Sequence, residues 1–454
     1  MDALTRPIVP PAPPVHAGEL PTWRLVWESL SNLAGFWAED AFVYLVARRK
    51  SLGVDSIVIN DPEAVRQVMG PKAAAYGRPA AFIRPIRPLG GEGVLLADGT
   101  EWRRQRRLLA PVFTPARMGG LIPHFTAAAE GLLARLSGRA NLSVAFHEAA
   151  LDAVLRALFS LPPGRVQADL AKVVRDYIKG PGRPNLLDGL SRSESDFPLA
   201  GWSRRRFAKR WHKLVDAVIA ERRASPDAEA HDLLGLLLSA RDPETGKPLS
   251  DVEIRDQSAT MLVAGFETTS RLLFWSSYLL ALDPIEQERV RAEIAARPPE
   301  MVTTLEDLQA WPRLRQVLME TLRLYPPVAV ILRQATAEDE IVGEKIGPGC
   351  LVWISPWVMH RHKSFWDNPT AFMPERFAGK PNAFLTEPAF LPFGAGPRIC
   401  IGASFAMTEA SVILANVLGR FHIGLESERP VLPVATVTTA PDHEPWFTLE
   451  PVEP

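Results

Sequence analysis

One uninterrupted helical stretch constrains this chain more than any other feature: residues 251–282, reading DVEIRDQSATMLVAGFETTSRLLFWSSYLLAL. Ser250 and Glu253 have the spacing of a capping box, which fixes the start of the helix. Asp283-Pro284 stops it, because proline cannot continue a helix but fits the first turn of the next one. Asp283 with Glu286 then repeats the capping signature. At 1.5 Å per residue a helix of this length runs about 45 Å, enough to cross a whole domain. Its middle is apolar on every side, which predicts burial all round. Helix-type periodicity dominates from about 120 to 325, whereas strand-like runs are short: DSIVIN at 55–60, GCLVWIS at 349–355 and a closing VLPVATVTT at 431–439. The expected class is mostly α with a minor β portion.

Length alone, 454 residues, points to two or three domains, but no repeat or low-complexity tract divides the chain. Apolar residues make up 47% and the net charge is −1, an ordinary globular balance that excludes a strongly basic nucleic-acid binder. Two cysteines, Cys350 and Cys400, cannot build a disulfide framework and fit a reducing, cytoplasmic setting. The start, MDALTRPIVPPAPP, lacks the hydrophobic stretch of a secretory leader, and its prolines favour an extended, non-helical segment. The longest early apolar run, AFVYLVA at 41–47, is far short of the roughly 20 residues of a membrane span.

Several short stretches carry chemistry. AGFETTS, Ala264 to Ser270, places a helix-weakening Gly265, a charge at Glu267 and two hydroxyls, Thr268 and Thr269, in the buried helix. It reads either as a kink with a paired glutamate or as a local opening against a ligand, where a hydroxyl–carboxylate pair relays protons. In METLRLYPP, Glu320 and Arg323 share a helix face at i, i+3; Arg376 lies in FMPERF. In EWRRQRRLLAPVF, Trp102 and Arg106 lie one turn apart, and the arginines suit either an anion site or a solvated face. Cys350 reads as a small hydrophobe. Cys400 differs. It lies at the start of a helix, between Gly396 and Gly402, with Arg398 two residues before it to meet an anion. No local Cys–His pairing and no second cysteine supports zinc or an iron–sulfur cluster, which leaves a single axial thiolate on haem iron.

Taken together, these residues resemble the cytochrome P450 family of haem-thiolate enzymes. Its F-x-x-G-x-R-x-C-x-G signature is matched by Phe393, Gly396, Arg398, Cys400 and Gly402. Its A/G-G-x-E/D-T-T motif is matched by Ala264, Gly265, Glu267, Thr268 and Thr269. Glu320 with Arg323 matches E-x-x-R, residues 374–377 match P-E-R-F, and Trp102 with Arg106 matches W-x-x-x-R. The resemblance implies one catalytic domain over residues 1–454, with haem b between the long helix and the helix after Cys400. It implies Cys400 as the iron ligand, with Phe393 packed near it and Ala264 and Gly265 against the haem. It also implies propionate contacts from Arg398, Trp102, Arg106 and Arg333, and a structural charge network of Glu320, Arg323 and Arg376.

The implied reaction is insertion of one oxygen atom into a hydrophobic molecule such as a terpenoid or fatty acid, with Thr268 and Glu267 guiding protons. Haem-thiolate isomerases, dehydratases and peroxide-using enzymes commonly lack this threonine–acid pair, and a gas sensor has no use for it. Electrons are expected from NAD(P)H through a separate reductase and a ferredoxin or flavodoxin, with Arg103, Arg104 and Arg107 helping to dock an acidic partner. A monomer without a membrane span is expected. The substrate pocket is expected to draw on Leu95, Phe82, Val263, Ala264, Val328 and Val330, with some polarity from Thr260. Arg84 and Arg87, in the lid region at 78–96, are expected to face solvent, and WSRRRFAKRW at 202–211 to begin a surface helix.

Overall fold

The structure is a computed structural model and describes residues 7–18, 20–51, 53–161, 165–185, 188, 198–224, 232–242 and 246–452. Its longer helices are α1 (Thr22–Ser31), α2 (Pro62–Met69), α3 (Ala80–Gly90), α4 (Gly99–Leu109), α5 (Pro115–Leu133), α6 (Leu142–Phe159) and α7 (Arg165–Lys179). They continue with α8 (Pro198–Ala224), α9 (Leu233–Ser239), α10 (Asp251–Leu282), α11 (Pro284–Ala296), α12 (Pro312–Leu324) and α13 (Ala403–Arg420). The long sequence-predicted helix is α10, with the expected bounds. The Ser250 hydroxyl accepts the Glu253 N–H, and the Ser250 N–H is returned to the Glu253 carboxylate at 2.8 Å. Asp283 caps α11 by accepting from the Glu286 N–H.

Helix α10 runs through the core and packs against α6, α12 and α13. Phe274 and Trp275 near its end are fully buried, and Trp275 stacks on Tyr325 with ring centres 4.1 Å apart. Burying an aromatic of this size contributes a few kcal/mol, about 25 cal/mol per Å² of apolar area. The extended proline-rich start lies across this region. The Tyr325 hydroxyl donates to the Pro11 carbonyl and the Phe372 N–H to the Ile8 carbonyl; residues 1–6 lie outside the described residues.

The β portion is small. Strands β1 (Val46–Ser51), β2 (Val54–Ile59), β3 (Tyr76–Gly77), β5 (Ile331–Ala335) and β8 (Leu351–Ile354) form one sheet in the order β1-β2-β8-β5-β3, and β4 (Gly138–Ala140) belongs to another. Ile57 and Ile59 alternate inward, as DSIVIN requires. A two-stranded ribbon joins β6 (Asp339–Ile341) and β7 (Glu344–Ile346). At the end of the chain the structure departs from expectation. VLPVATVTT holds the short strand β10 (Pro433–Ala435) and ends on the first residue of β11 (Thr439–Pro441), which folds back on it. The closing strand is β12 (Trp446–Pro451), which pairs with β4 and with β9 (Phe421–Glu426).

Two expectations about surface charge, for Arg84 and Arg104, are corrected. Arg84 does not face solvent: it is 1% exposed and donates to the Asp188 carbonyl at 2.8 Å. Arg87 does lie at the surface, where its part-exposed side chain pairs with Glu92 at 2.8 Å. The 202–211 stretch lies in a surface helix as expected, with Trp202, Arg205, Arg206, Lys209 and Arg210 exposed, while on its inner face Arg204 forks onto Asp188 and Phe207 and Trp211 are buried. Arg104 is taken up by Glu101, Asp242 and Glu253, and so is not spare for docking.

Candidate active site

The loop from Phe390 to Gly402 leads into α13 and sets the thiol. Its Cys400 N–H donates to the Phe393 carbonyl at 2.9 Å, closing a tight turn with positive φ at Gly394 and Gly396. A side chain at Gly396 would strike the Met69 carbonyl, so this glycine clears space for the end of α2, not for a ligand. Cys400 itself stands three residues before Ala403, the first residue of α13.

The thiol opens onto a cavity of about 1150 Å³. Helix α10 forms one wall, where Val263, Ala264 and Thr268 line the space and the Thr268 hydroxyl donates to the Ala264 carbonyl at 2.8 Å. Gly265 also borders the cavity, but a Cβ there would approach Val154 of α6 to 2.8 Å, so its missing side chain serves helix packing. Phe82 of α3 and Leu95 line another side, and Val328 and Val330 a third. All the expected substrate residues thus face one space. Thr260 does as well, although its hydroxyl is spent on the Gly90 carbonyl. Above the chamber the glycine-rich turn 90–93 lies flat on α10. Its Glu92 N–H donates to Asp256, the Val94 N–H to Gln257, and no side chain fits at Gly90 or Gly93 against Thr260.

Three guanidinium groups converge on the cavity from separate segments: Arg333, Arg398 and Arg78. Arg78 was not apparent in the sequence, where nothing distinguishes the arginine of YGRPA. A single carboxylate, Asp98, serves both Arg78, at 2.9 Å, and Arg398. Arg398 also lies 4.4 Å over the Trp102 ring. Among the described residues Arg333 bonds only the Leu332 carbonyl. Burial and then the neighbouring Arg78 and Arg398 push Arg333 down to about 10; burial and then Arg78 do the same to Arg398. Arg106 lines the cavity and is likewise lowered by burial. The cluster carries more positive than negative charge, which suits an anionic ligand.

Burial pushes the Cys400 thiol up, while the Gly402 N–H and Arg106 act against it. Such a thiol ionises when a metal cation coordinates it. Among the described residues no cluster of His, Cys, Asp or Glu offers a multi-ligand metal site. One thiol, apolar walls and unbalanced guanidiniums fit haem b: a large apolar dianion whose metal takes one protein ligand. Phe393 packs edge-on against Phe384 beside this thiol, ring centres 5.0 Å apart.

Glu267 is 2% exposed and fully partnered. His147 meets one carboxylate oxygen at 2.7 Å, and Arg271 and Thr438 donate to the other at 2.9–3.0 and 2.8 Å. Burial pushes this carboxyl up, but the Arg271 charge and the bonds from His147 and Thr438 outweigh it and hold it at about 2. It is therefore an ionised anchor at rest. Away from the cavity, Glu320 and Arg323 are fully buried and doubly bonded at 2.7 Å, with Arg376 3.4 Å from Glu320.

The Cytochrome P450 family pattern matches residues 45–442. Cyclooctatin synthase of Streptomyces melanosporofaciens is 33% identical over 370 residues, covering 80% of this chain and 79% of that protein. A cytokinin hydroxylase of Arabidopsis thaliana is 31% identical over 413 residues, covering 87% and 79%. The haem domain of a cytochrome P450DA mutant superposes with a TM-score of 0.76 at 26% identity, covering 90% of each chain. Match, superposition and thiol-centred cavity agree, and the chain belongs to the cytochrome P450 family of haem-dependent, oxygen-incorporating oxidoreductases.

Proposed function

We propose that this monooxygenase hydroxylates a terpenoid-sized hydrophobic molecule, with Cys400 as the iron ligand and Thr268 as the hydroxyl that directs protons. The observation that carries the reading is that Cys400 and Thr268 face one large cavity whose other walls are Val263, Val328, Val330, Leu95 and Phe82. A relative named cyclooctat-9-en-7-ol 5-monooxygenase, 33% identical, supports a carbocyclic alcohol or its hydrocarbon precursor as the substrate class. One core cluster reaching from Ala34 to Leu449 supports reading the whole chain as one catalytic domain. Haem b, when bound, supplies dioxygen binding and O–O cleavage. The protein's own residues hold, exclude and deliver. Arg78, Arg333, Arg398, Arg106 and Trp102 would grip the propionates; the apolar walls exclude water; Thr268 presents its hydroxyl where protons are consumed. Electrons come from a separate ferredoxin or flavodoxin and its reductase.

Two outcomes test this. Hydrophobic compounds that shift the ferric Soret band would identify ligands that displace iron-bound water. With such a compound, Thr268→Ala is expected to keep consuming dioxygen while product per dioxygen falls roughly tenfold and peroxide rises to match. Well-coupled turnover in that variant would remove Thr268 from the proton path. Arg333→Ala is expected to speed haem loss to apomyoglobin roughly ten- to a hundredfold, the scale of one charge-assisted bond. An unchanged rate would show that the cluster does not hold the propionates.

A further inference from the structure

A second, small cavity of about 10 Å³ is lined by Ser143, Val144 and His147 of α6, Arg175 and Lys179 of α7, Arg271 of α10, and Glu444. His147 and Arg271 are also the side chains that hold the Glu267 carboxylate. The space suits a single water molecule. His147 is 2% exposed; its Nε2 meets Glu267 at 2.7 Å, while its Nδ1 has no hydrogen-bond partner among the described residues. A buried ring nitrogen without a partner, beside a polar space of that size, calls for water. On the outer side, the side chains of Lys179 and Glu444 are 61% and 33% exposed. On the inner side, Glu267 and Thr438 border the main cavity, joined at 2.8 Å. Polar side chains thus line the small cavity between the surface and Glu267, which borders the main cavity.

We propose that His147 is the proton inlet of the active site, passing protons from water in the small cavity to Glu267. This rests on the monooxygenase reading above, in which dioxygen cleavage consumes protons. A hydronium proton reaching the small cavity from solvent adds at Nδ1, and the Nε2 proton leaves to the Glu267 carboxylate, which becomes a carboxylic acid. The carboxyl group turns and releases that proton into the main cavity, which Glu267 borders. The carboxylate is then restored, and water-mediated tautomerisation returns the imidazole hydrogen from Nδ1 to Nε2. The charged groups facing the ring are Glu267 and Arg271 of α10, Arg175 and Lys179 of α7, and Glu444. Imidazole is the side chain suited to carrying protons near neutral pH.

The competing role for His147 is to position Glu267 and nothing more. Nuclear magnetic resonance of isotopically labelled histidine nitrogens, on the haem-loaded ferrous carbon monoxide form, separates the two. The Nε2 hydrogen is expected to exchange rapidly with solvent, and Ser143→Leu, which fills the small cavity, to slow that exchange by more than an order of magnitude. In turnover with a compound selected by its Soret shift, His147→Gln keeps an N–H for Glu267 but cannot carry a proton. It is expected to lower dioxygen consumption roughly tenfold or more and to raise the solvent isotope effect. Exchange unaffected by Ser143→Leu, or a His147→Gln protein with normal rate and isotope effect, overturns the proposal. If leucine at 143 prevents folding, His147→Gln decides alone. Exchange is read without turnover, so its failure leaves the Thr268 result standing, and the reverse holds.

Discussion

Cys400→Ala is expected to abolish coupled turnover and to remove the red-shifted Soret band that reduced, carbon monoxide-treated haem-thiolate proteins show. The thiol is the only one on the cavity. Cys350, the other cysteine, is 2% exposed in a separate cluster with Ile57, Val352 and Ile354, and cannot take its place. Among the described residues no other ligand cluster stands ready to coordinate iron. The turn that carries Cys400 is closed by main-chain bonds, from the Cys400 N–H to the Phe393 carbonyl and from the Ile399 N–H to the Gly396 carbonyl. Alanine leaves those intact, so the expected result is a folded protein with altered haem ligation. Survival of the thiolate band in haem-loaded Cys400→Ala would end the assignment.

The largest expected loss of stability follows from cutting the buried pair of α12. Arg323 donates both to Glu320 and to the His360, Pro369 and Ala371 carbonyls at 2.6–2.8 Å, and the Met373 N–H donates to Glu320 at 2.9 Å. His360 continues the network: its Nε2 accepts the Leu391 N–H at 2.8 Å, at the start of the loop that carries Cys400. Burial, then Arg323 and Arg361, hold His360 well below its ordinary value, so it is neutral. Removing one partner strands the other charge and several carbonyls in a dry interior. Arg323→Met is expected to cost about 3–5 kcal/mol in urea unfolding and to lower haem loading with it. A loss below about 1 kcal/mol, the scale of a surface pair, would show that water reaches this site.

Features written in neighbouring residues are legible in the sequence itself. The caps at Ser250 and Asp283 bound α10 because each bond spans three residues. The Glu320–Arg323 pair is visible for the same reason, although its burial follows from the resemblance and not from its spacing. Partners far along the chain leave no local mark. Arg84 meets Asp188 from 104 residues away, so its burial is invisible in a proline-rich lid sequence. His147 looks like a lone histidine in an apolar helix, and acquires a role only through Glu267, 120 residues on. Arg78 gains meaning only where Arg333 and Arg398 join it. Strand β12 is hidden because its partners, β4 and β9, come from opposite ends of the helical core. Glycines mislead in another way. The sequence shows that space is needed at Gly265 and Gly396, but not that Val154 and Met69 take it.

The flat contact between the 90–93 turn and α10 bears on which molecules gain admission. Asp256, Gln257 and Thr260 fasten the covering segment along that margin, and Tyr177 and Trp211 clasp the Pro85 and Leu89 carbonyls behind it. A segment bonded on these sides is held fast there. The same chamber is lined elsewhere by Leu25 and Leu30 of α1 and by Arg49 and Val54 of the β1–β2 hairpin. If bulky guests enter beside those residues, size selection and the chemistry at Cys400 draw on different parts of the chain and can diverge independently.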